Sequence, residues 1–318
     1  MKKVSILIPC FNEEDNVSQI ALAVCSQMEK LQQYDYDLVF IDNNSTDKTR
    51  TIIKELCSNN KKIKAIFNAK NYGQFSSPYY GILQCSGDCV ILMACDFQDP
   101  VDLIPKYLEA WEDGYKIVLG QKTSSKENRL IYHSRTFYYR FMKKHSGIEF
   151  LEHVTGSGLY DRSFINVMKQ IDDSRPFLRG IVAEMGFNIK LIQFEQPRRE
   201  KGKSSNNLYT YMDGAAQSLT AYTKFGCRLA LHVGLFTTVL SLIAFVSLII
   251  YKCLNWDTFT LEDYFLDSII ILLVSLNIFF VGVVGEYVMD ANIHTRKKPI
   301  VVESERINFN EPPIKKEI

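Results

Sequence analysis

The sequence predicts an α/β domain built on a parallel sheet, followed by two helices long enough to cross a membrane. Three observations predict it. Short β-rich runs alternate with helix-like stretches through the first 120 residues, carboxylates and amides gather just past several of those runs, and two long segments near the end carry no Asp, Glu, Lys or Arg.

The strands are expected at Val4–Pro9, Asp37–Asp42, Ile63–Asn68, Cys89–Ala94 and Lys116–Gly120. Helical stretches lie between them at Glu13–Leu31, Thr46–Cys57 and Leu103–Trp111. Strand–helix alternation of this kind builds a parallel sheet. Ligands of such sheets bind beyond the carboxyl ends of the strands. The segments to read are therefore "PCFNEED" after the first strand, "DNNSTDKT" after the second and "CDFQDP" after the fourth. Neither G-x-G-x-x-G nor G-x-x-x-x-G-K-[ST] occurs there, which disfavours a dinucleotide fold and a P-loop. Carboxylates and amides at three strand ends suit a nucleotide's base and ribose, with a hard cation on its phosphates. Helix capping and turn formation account for Asp47 and Asp99, but explain Asp42 and Asp96 poorly, since both stand at strand ends.

The chain of 318 residues has 37 Lys and Arg against 36 Asp and Glu, which argues for no nucleic-acid partner. Its eight cysteines form no C-x-x-C pair, its five histidines lie far apart, and no secretory signal is read at the start. Reduced thiols in a cytosolic domain are expected, and a zinc site is not.

Leu229–Tyr251 and Ser268–Gly285 are the uncharged runs, each approaching the ~20 residues of a membrane span. A soluble core rarely holds two such runs back to back. Lys224 and Arg228 precede the first and "HTRKK" follows the second, while Asp257, Glu262, Asp263 and Asp267 lie between them against Lys252 alone. The positive-inside rule then puts both large ends in the cytoplasm. The expected organisation is a catalytic domain at 1–205, an amphipathic juxtamembrane segment at 206–228, spans at 229–251 and 268–288 around an extracytoplasmic loop at 252–267, and a cytosolic tail at 289–318. Leu208, Tyr211, Met212, Ala215, Leu219 and Tyr222 recur at helical spacing, as an interfacial helix requires; core packing gives the same pattern.

The blocks "SILIPCFNEEDNV", "FIDNNSTDKT", "NYGQFSSPYYGIL", "GDCVILMACDFQDP" and "PFLRGIVAEMGF" resemble, in order, those of inverting family-2 glycosyltransferases. The resemblance is strongest to the membrane-anchored polyisoprenyl-phosphate glycosyltransferases, related to dolichyl-phosphate mannose synthase and the bacterial undecaprenyl-phosphate sugar transferases. It extends through "RREKGKSS", both spans and "GEY". It implies a GT-A (Rossmann-like) fold and transfer of a sugar from a nucleotide diphosphate, a UDP-hexose or alternatively a GDP-sugar, to a polyprenyl phosphate at the inner membrane. Pro9, Phe11 and Glu13 match the block that holds the nucleotide, and Asp42 the acid that binds the base. Asn43 replaces the second acid of that block. Asp96 and Gln98 match the acid and glutamine of the metal block, implying Mg2+ or Mn2+, whereas Ala94 brings no ligand oxygen. Lys122 stands where relatives carry an arginine near the phosphates, and Arg198 and Lys203 match the basic loop before the membrane.

A lipid monophosphate is largely dianionic at neutral pH, so such a reaction requires no general base. It requires neutralisation of the leaving diphosphate and a clamp on the acceptor. Arg129, Arg135, Arg140, Lys143 and Lys144 are the candidate clamp, interleaved with aromatic residues. A solvated basic face would read the same way. A processive polysaccharide synthase would add a Q-x-x-R-W block, which is absent. A tethered nucleotide-sugar-binding protein that has lost catalysis, or a transferase with a hydroxyl acceptor, are the alternatives. A homo-oligomer is left open.

Overall fold

The computed structural model describes residues 1–122, 140–141, 154–171, 173, 176–197 and 298–310, with single residues and short groups between 223 and 291. Arg129, Arg135, Lys143, Lys144, Arg198, Lys203, the expected interfacial helix and most of both expected spans lie outside the described residues. The chain divides into two compact units. One holds Met1–Lys143, Ile148–Leu208 and Arg296–Ile318; the other holds Lys144–Gly147 and Tyr209–Thr295.

The first unit is a sheet covered on both faces. In chain order its elements are β1 (Lys2–Cys10), α1 (Val17–Glu29), β2 (Tyr34–Asp42), α2 (Thr49–Asn59), β3 (Ile63–Asn68), α3 (Gly73–Gln84), β4 (Cys89–Leu92), α4 (Leu103–Glu112) and β5 (Ile117–Lys122), followed by β6 (Val154–Asp161), α5 (Arg162–Gln170), α6 (Leu178–Glu184), β7 (Ile189–Phe194) and β8 (Glu303–Ile307). The eight strands are ordered β7-β5-β6-β4-β1-β2-β3-β8.

Strands buried on both faces are apolar almost throughout, which is why "VSILI" does not alternate. Ile6 and Ile8 of β1, with Leu38 and Phe40 of β2, pack into the core that α1 and α4 cover. Leu7, Val39 and Ile41 point the other way, into a second core with Tyr79, Ile82 and Phe164. Helix α1 buries Val17, Ile20, Ala21, Val24 and Met28, the one-sided spacing of a helix packed on a sheet.

The sheet is mixed, where strand–helix alternation predicted a parallel one. β4, β1, β2 and β3 run parallel, whereas β6 runs antiparallel to both β4 and β5, and β8 antiparallel to β3. Antiparallel strands need no crossover helix, so alternation alone does not reveal them. Helix α3 carries Pro78 inside it and begins at Gly73, which hides its helical pattern. Its Gly81 lies flat on the sheet: a Cβ there would come within 2.8 Å of the Leu7 side chain. β8 returns from the far end of the chain to cover the β3 edge, removing an unpaired edge strand. Tyr80 donates its hydroxyl to Glu303 at 2.8 Å, and Asn308 donates to the Cys57 and Ile63 carbonyls at 2.7 Å.

In the second unit, the Tyr287 hydroxyl donates to the Thr223 carbonyl at 3.1 Å, which links a residue ahead of the first apolar run to one at the end of the second. The described residues inside the two runs are helical, and Phe236, Val239, Ile243, Val246, Ile250, Val274, Val281 and Val284 are exposed. Among the described residues, no helix is long and apolar enough to cross a membrane.

Among the described glycines, Gly158 is the one at which an added Cβ would meet the closest neighbour. A Cβ there would stand 2.1 Å from the Val118 carbonyl oxygen and 2.9 Å from the Leu119 Cα, both backbone atoms of β5. Gly158→Ala is expected to part β5 from β6 and to lower stability by about 2–3 kcal/mol. Thermal unfolding of the full chain checks this; an unchanged midpoint would contradict the packing.

Candidate functional site

Parallel strands deliver their carboxyl ends to one side of the sheet, so the loops after β1, β2 and β4 converge there. Hydrogen bonds lace the first two loops together. The Asn12 N–H donates to Ser45 Oγ at 2.9 Å, Glu13 N–H to Thr49 Oγ1 at 2.8 Å and Glu14 N–H to Asp47 Oδ2 at 3.2 Å. In return, Thr46 N–H donates to Asn12 Oδ1 at 2.8 Å and Lys48 N–H to Glu14 Oε2 at 2.9 Å. Asp47, expected to cap α2, accepts the Thr49 N–H at the start of that helix, while Lys48 occupies the N-cap position itself. Pro9, Phe11 and Glu13 are partly exposed on this edge, and Glu13 is steadied by the Asn16 amide at 2.7 Å.

Asp42 is fully buried. Its carboxylate accepts the N–H groups of Asn44 and Ser45 at 3.1 and 3.2 Å and the Arg50 guanidinium at 2.5 Å. Arg50 also reaches the Asn68 carbonyl at the end of β3, at 2.6 Å. The side chain that the resemblance assigns to the base thus holds the loop, and none of it reaches the surface. Asn43 is a second hub. It donates to Asn71 Oδ1 at 2.9 Å and the Gly73 carbonyl at 3.2 Å, and accepts from Asn68 and the Tyr72 N–H. An acid could accept these bonds but not donate them, which gives a local reason for the amide here.

The loop after β4 separates its two acids. Asp99 is 3% exposed. Its Oδ2 accepts the Ala94 N–H at 3.1 Å and the Ser157 hydroxyl at 2.5 Å, tying the loop to β6. Asp99 is therefore a brace between the loop after β4 and strand β6 as well as the residue before Pro100. Burial raises its carboxyl above the usual range, against the lowering effect of the Ser157 and Ala94 bonds. Asp96 is partly exposed, and its Oδ1 accepts the Gln98 N–H at 3.2 Å. Phe97 between them has φ +59°. Asn12 and Asn44, the turning residues of the other two loops, have φ +55° and +66°. Asparagine tolerates this conformation; for phenylalanine it is strained, and strain of this kind gathers at functional loops.

Lys122 ends β5, partly exposed, and its charge is felt at Asp99. Arg140 is exposed. Arg179 of α6, within "PFLRGIVAEMGF" but singled out by nothing in its spacing, lies against Gly156, its Nε 3.5 Å from where a Cβ would stand. It adds a cation beside the Ser157–Asp99 brace. Ser157 was equally illegible, because its partner lies 58 residues away.

Among the described residues, no group of three or more His, Cys, Asp or Glu side chains could hold a metal ion. At the positions that the resemblance assigns to a metal, Asp96 and Gln98 are partly exposed, Asp99 is turned into the protein and the side chain of position 94 has no oxygen. That fits a hard cation whose remaining positions belong to substrate phosphates and water. Burial, then the hydrogen bond with Cys95, push the Cys10 thiol well up, so it is no nucleophile at neutral pH.

Asp99 generates a pH-dependent expectation. Its folded pKa is raised above the unfolded value of about 3.9. The cost of holding it ionised is present in full above the folded pKa and is relieved as pH falls toward the unfolded one. Relative to Asp99→Asn, the wild type should therefore gain stability as pH drops through that window. Unfolding midpoints of both proteins across acidic to neutral pH test this; a difference that grows in favour of the wild type with rising pH would contradict it.

The model of "Glycosyl transferase family 2" matches residues 5–186. A "Prophage bactoprenol glucosyl transferase homolog" of Escherichia coli strain K12 is 26% identical over 298 residues, covering 93% of this chain and 97% of its own. An "SfII prophage-derived bactoprenol glucosyl transferase" of Shigella flexneri is 26% identical over 309 residues, 96% of this chain and 99% of its own. Among solved structures, glucosyl-3-phosphoglycerate synthase from Mycobacterium tuberculosis, in complex with Mn2+, UDP and glucosyl-3-phosphoglycerate, is 15% identical with a TM-score of 0.45, covering 69% of this chain and 78% of that one. The matched family segment runs from β1 through α6 and contains all three strand-end loops. This chain belongs to glycosyl transferase family 2 and is a glycosyltransferase.

Proposed function

We propose that this chain transfers a hexose from a UDP-sugar to a polyprenyl phosphate, with inversion at the anomeric carbon and without a general base. The observation that carries the reading is the near full-length similarity to bactoprenol glucosyl transferases, which extends past the catalytic domain into the apolar runs.

In this reading the nucleotide rests on Pro9, Phe11, Glu13 and the loop that Asp42 holds, with Arg198 and Lys203 on its phosphates. Asp96 and Gln98 would hold Mg2+ or Mn2+, whose chemistry is to offset the charge of the leaving diphosphate. An oxygen of the acceptor phosphate attacks C1 of the sugar. The C1–O bond to the diphosphate breaks, and its electron pair leaves with the nucleotide. No proton has to be removed from the nucleophile. Lys122, Arg129, Arg135 and Arg140 oppose the repulsion between the two anions. Asp99 keeps the Asp96 loop anchored to β6.

The exposed apolar residues of the second unit support a membrane hairpin, since a water-facing helix seldom shows so many. Both termini would lie in the cytoplasm, with the acidic connection outside.

Two experiments test the reading. Purified full-length protein, given short polyprenyl phosphate and a panel of nucleotide sugars, should glycosylate the phosphate and leave the corresponding polyprenol untouched. Asp96→Ala should remove nearly all of the turnover. Binding of nucleotide sugar with no transfer would instead indicate a tethered binding protein, and transfer to the polyprenol would indicate a hydroxyl acceptor. For topology, Thr258→Cys should react with a membrane-impermeant thiol reagent in intact cells; labelling of an added C-terminal cysteine but not of residue 258 would reverse the orientation.

A further inference from the structure

A concave site lies at the end of the sheet opposite the strand-end loops. It is a cavity of about 430 Å³ whose lining includes Lys3, Lys64, Arg162, Lys169, Arg306 and Phe309. Lys3 and Lys64 are the second residues of β1 and β3, so the cavity opens where the parallel strands begin. Along an extended strand, the distance from Lys3 to Pro9 is roughly 20 Å. The cavity is thus separate from the loops that carry Asp42 and Asp96.

Its charges are unevenly matched. Lys3 and Lys64 both bond one carboxylate, Asp37, at 2.9 and 2.8 Å. Burial alone would raise Asp37, but hydrogen bonds from Lys64, Ser5 and Lys3 overcome it and hold the group ionised, one negative charge between two positive ones. Arg162 donates to the neutral Cys85 and Gly87 carbonyls. Arg306 is paired with Glu303 and donates to Gln84 Oε1 at 2.7 Å. Asp88 takes the Lys3 backbone N–H from outside the lining. All five basic residues are partly buried instead of extended into water. Two lysines share one carboxylate and Arg162 bonds neutral carbonyls, so these contacts leave part of the half-buried positive charge unmatched, which is costly. The Phe309 ring lies 5.2 Å from Lys64 Nζ and 4.5 Å from the Arg306 guanidinium, which fixes the direction of both.

We infer that this cavity binds an anion bearing phosphate, of two or more negative charges. Lysine and arginine converging from β1, β3, α5 and β8 suit phosphate oxygens, and the arginines add planar donor pairs. The same chemistry is offered by a soluble phosphorylated metabolite and by the phosphomonoester headgroup of a lipid. Because three of the contributing elements lie far apart in the chain, an anion here would also tie β8 to β1 and α5.

The test is titration calorimetry on the purified full chain in detergent and metal-free buffer, with inorganic pyrophosphate and with dioctanoyl phosphatidic acid as probes. Pyrophosphate should bind, and Lys169→Glu and Lys64→Gln should each weaken it by about tenfold or more. Asp96→Asn, at the far end of the sheet, should leave that binding unchanged. Tighter binding of the phosphatidic acid, with the same dependence on Lys169 and Lys64, would assign the site to a lipid headgroup. Absence of binding by either probe from folded protein, or binding lost in Asp96→Asn and kept in both lysine variants, would overturn the inference. Circular dichroism of each variant separates loss of binding from loss of fold.

Discussion

A carboxylate shut away from water must have its oxygens occupied by donors, and Asp42 meets that requirement with two backbone N–H groups and one guanidinium. Much of the site depends on this. The N–H groups belong to Asn44 and Ser45, so satisfying the buried charge fixes the turn after β2. Arg50 carries the same constraint to the end of β3 through the Asn68 carbonyl. Ser45 and Asp47 then accept the N–H groups of Asn12 and Glu14, setting the loop after β1. One buried charge thus places two of the three loops. Removing one partner of such a pair costs about 3–5 kcal/mol when both are buried, and less here because Arg50 is partly open to solvent.

The third loop follows the same division of labour between two acids three residues apart. Asp99 is buried, braced against β6 and has its carboxyl raised by burial; Asp96 remains at the surface edge. A support that is locked in place and a ligand-facing group that is not are what a preorganised anion or cation site requires. The positive φ at Phe97 is the visible cost of turning the chain sharply between them. With alanine at position 94, Asp96 is the one acid of "MACDFQDP" that is not buried, which would suit an ion completed by a diphosphate.

The sequence made the parallel half of the sheet legible because strand runs such as "VSILIP" and "DLVFID" are apolar, short and bounded by polar turns. It did not reveal β6 or β8, whose partners lie far away in the chain: β8 pairs with a strand more than 200 residues before it. Helix α3 was hidden by its own proline. At the site, Asp42 and Asp96 were legible as acids at strand ends, but their different fates were not. Which of them is buried depends on Arg50, and which of Asp96 and Asp99 is the brace depends on Ser157. Both are partners that no local pattern announces. The basic cavity at the other end was likewise invisible, since its cations come from strands and helices scattered from Lys3 to Arg306.

The central claim is that the three strand-end loops form one donor site in which Asp96 faces the diphosphate. The most direct test is UDP binding to the full chain by titration calorimetry, with and without Mn2+, for the wild type and Asp96→Ala. The account predicts that Mn2+ tightens UDP binding to the wild type and that Asp96→Ala abolishes this gain while leaving the folded protein intact. Binding of UDP that is equally tight with and without Mn2+, or a gain that survives in Asp96→Ala, would contradict it.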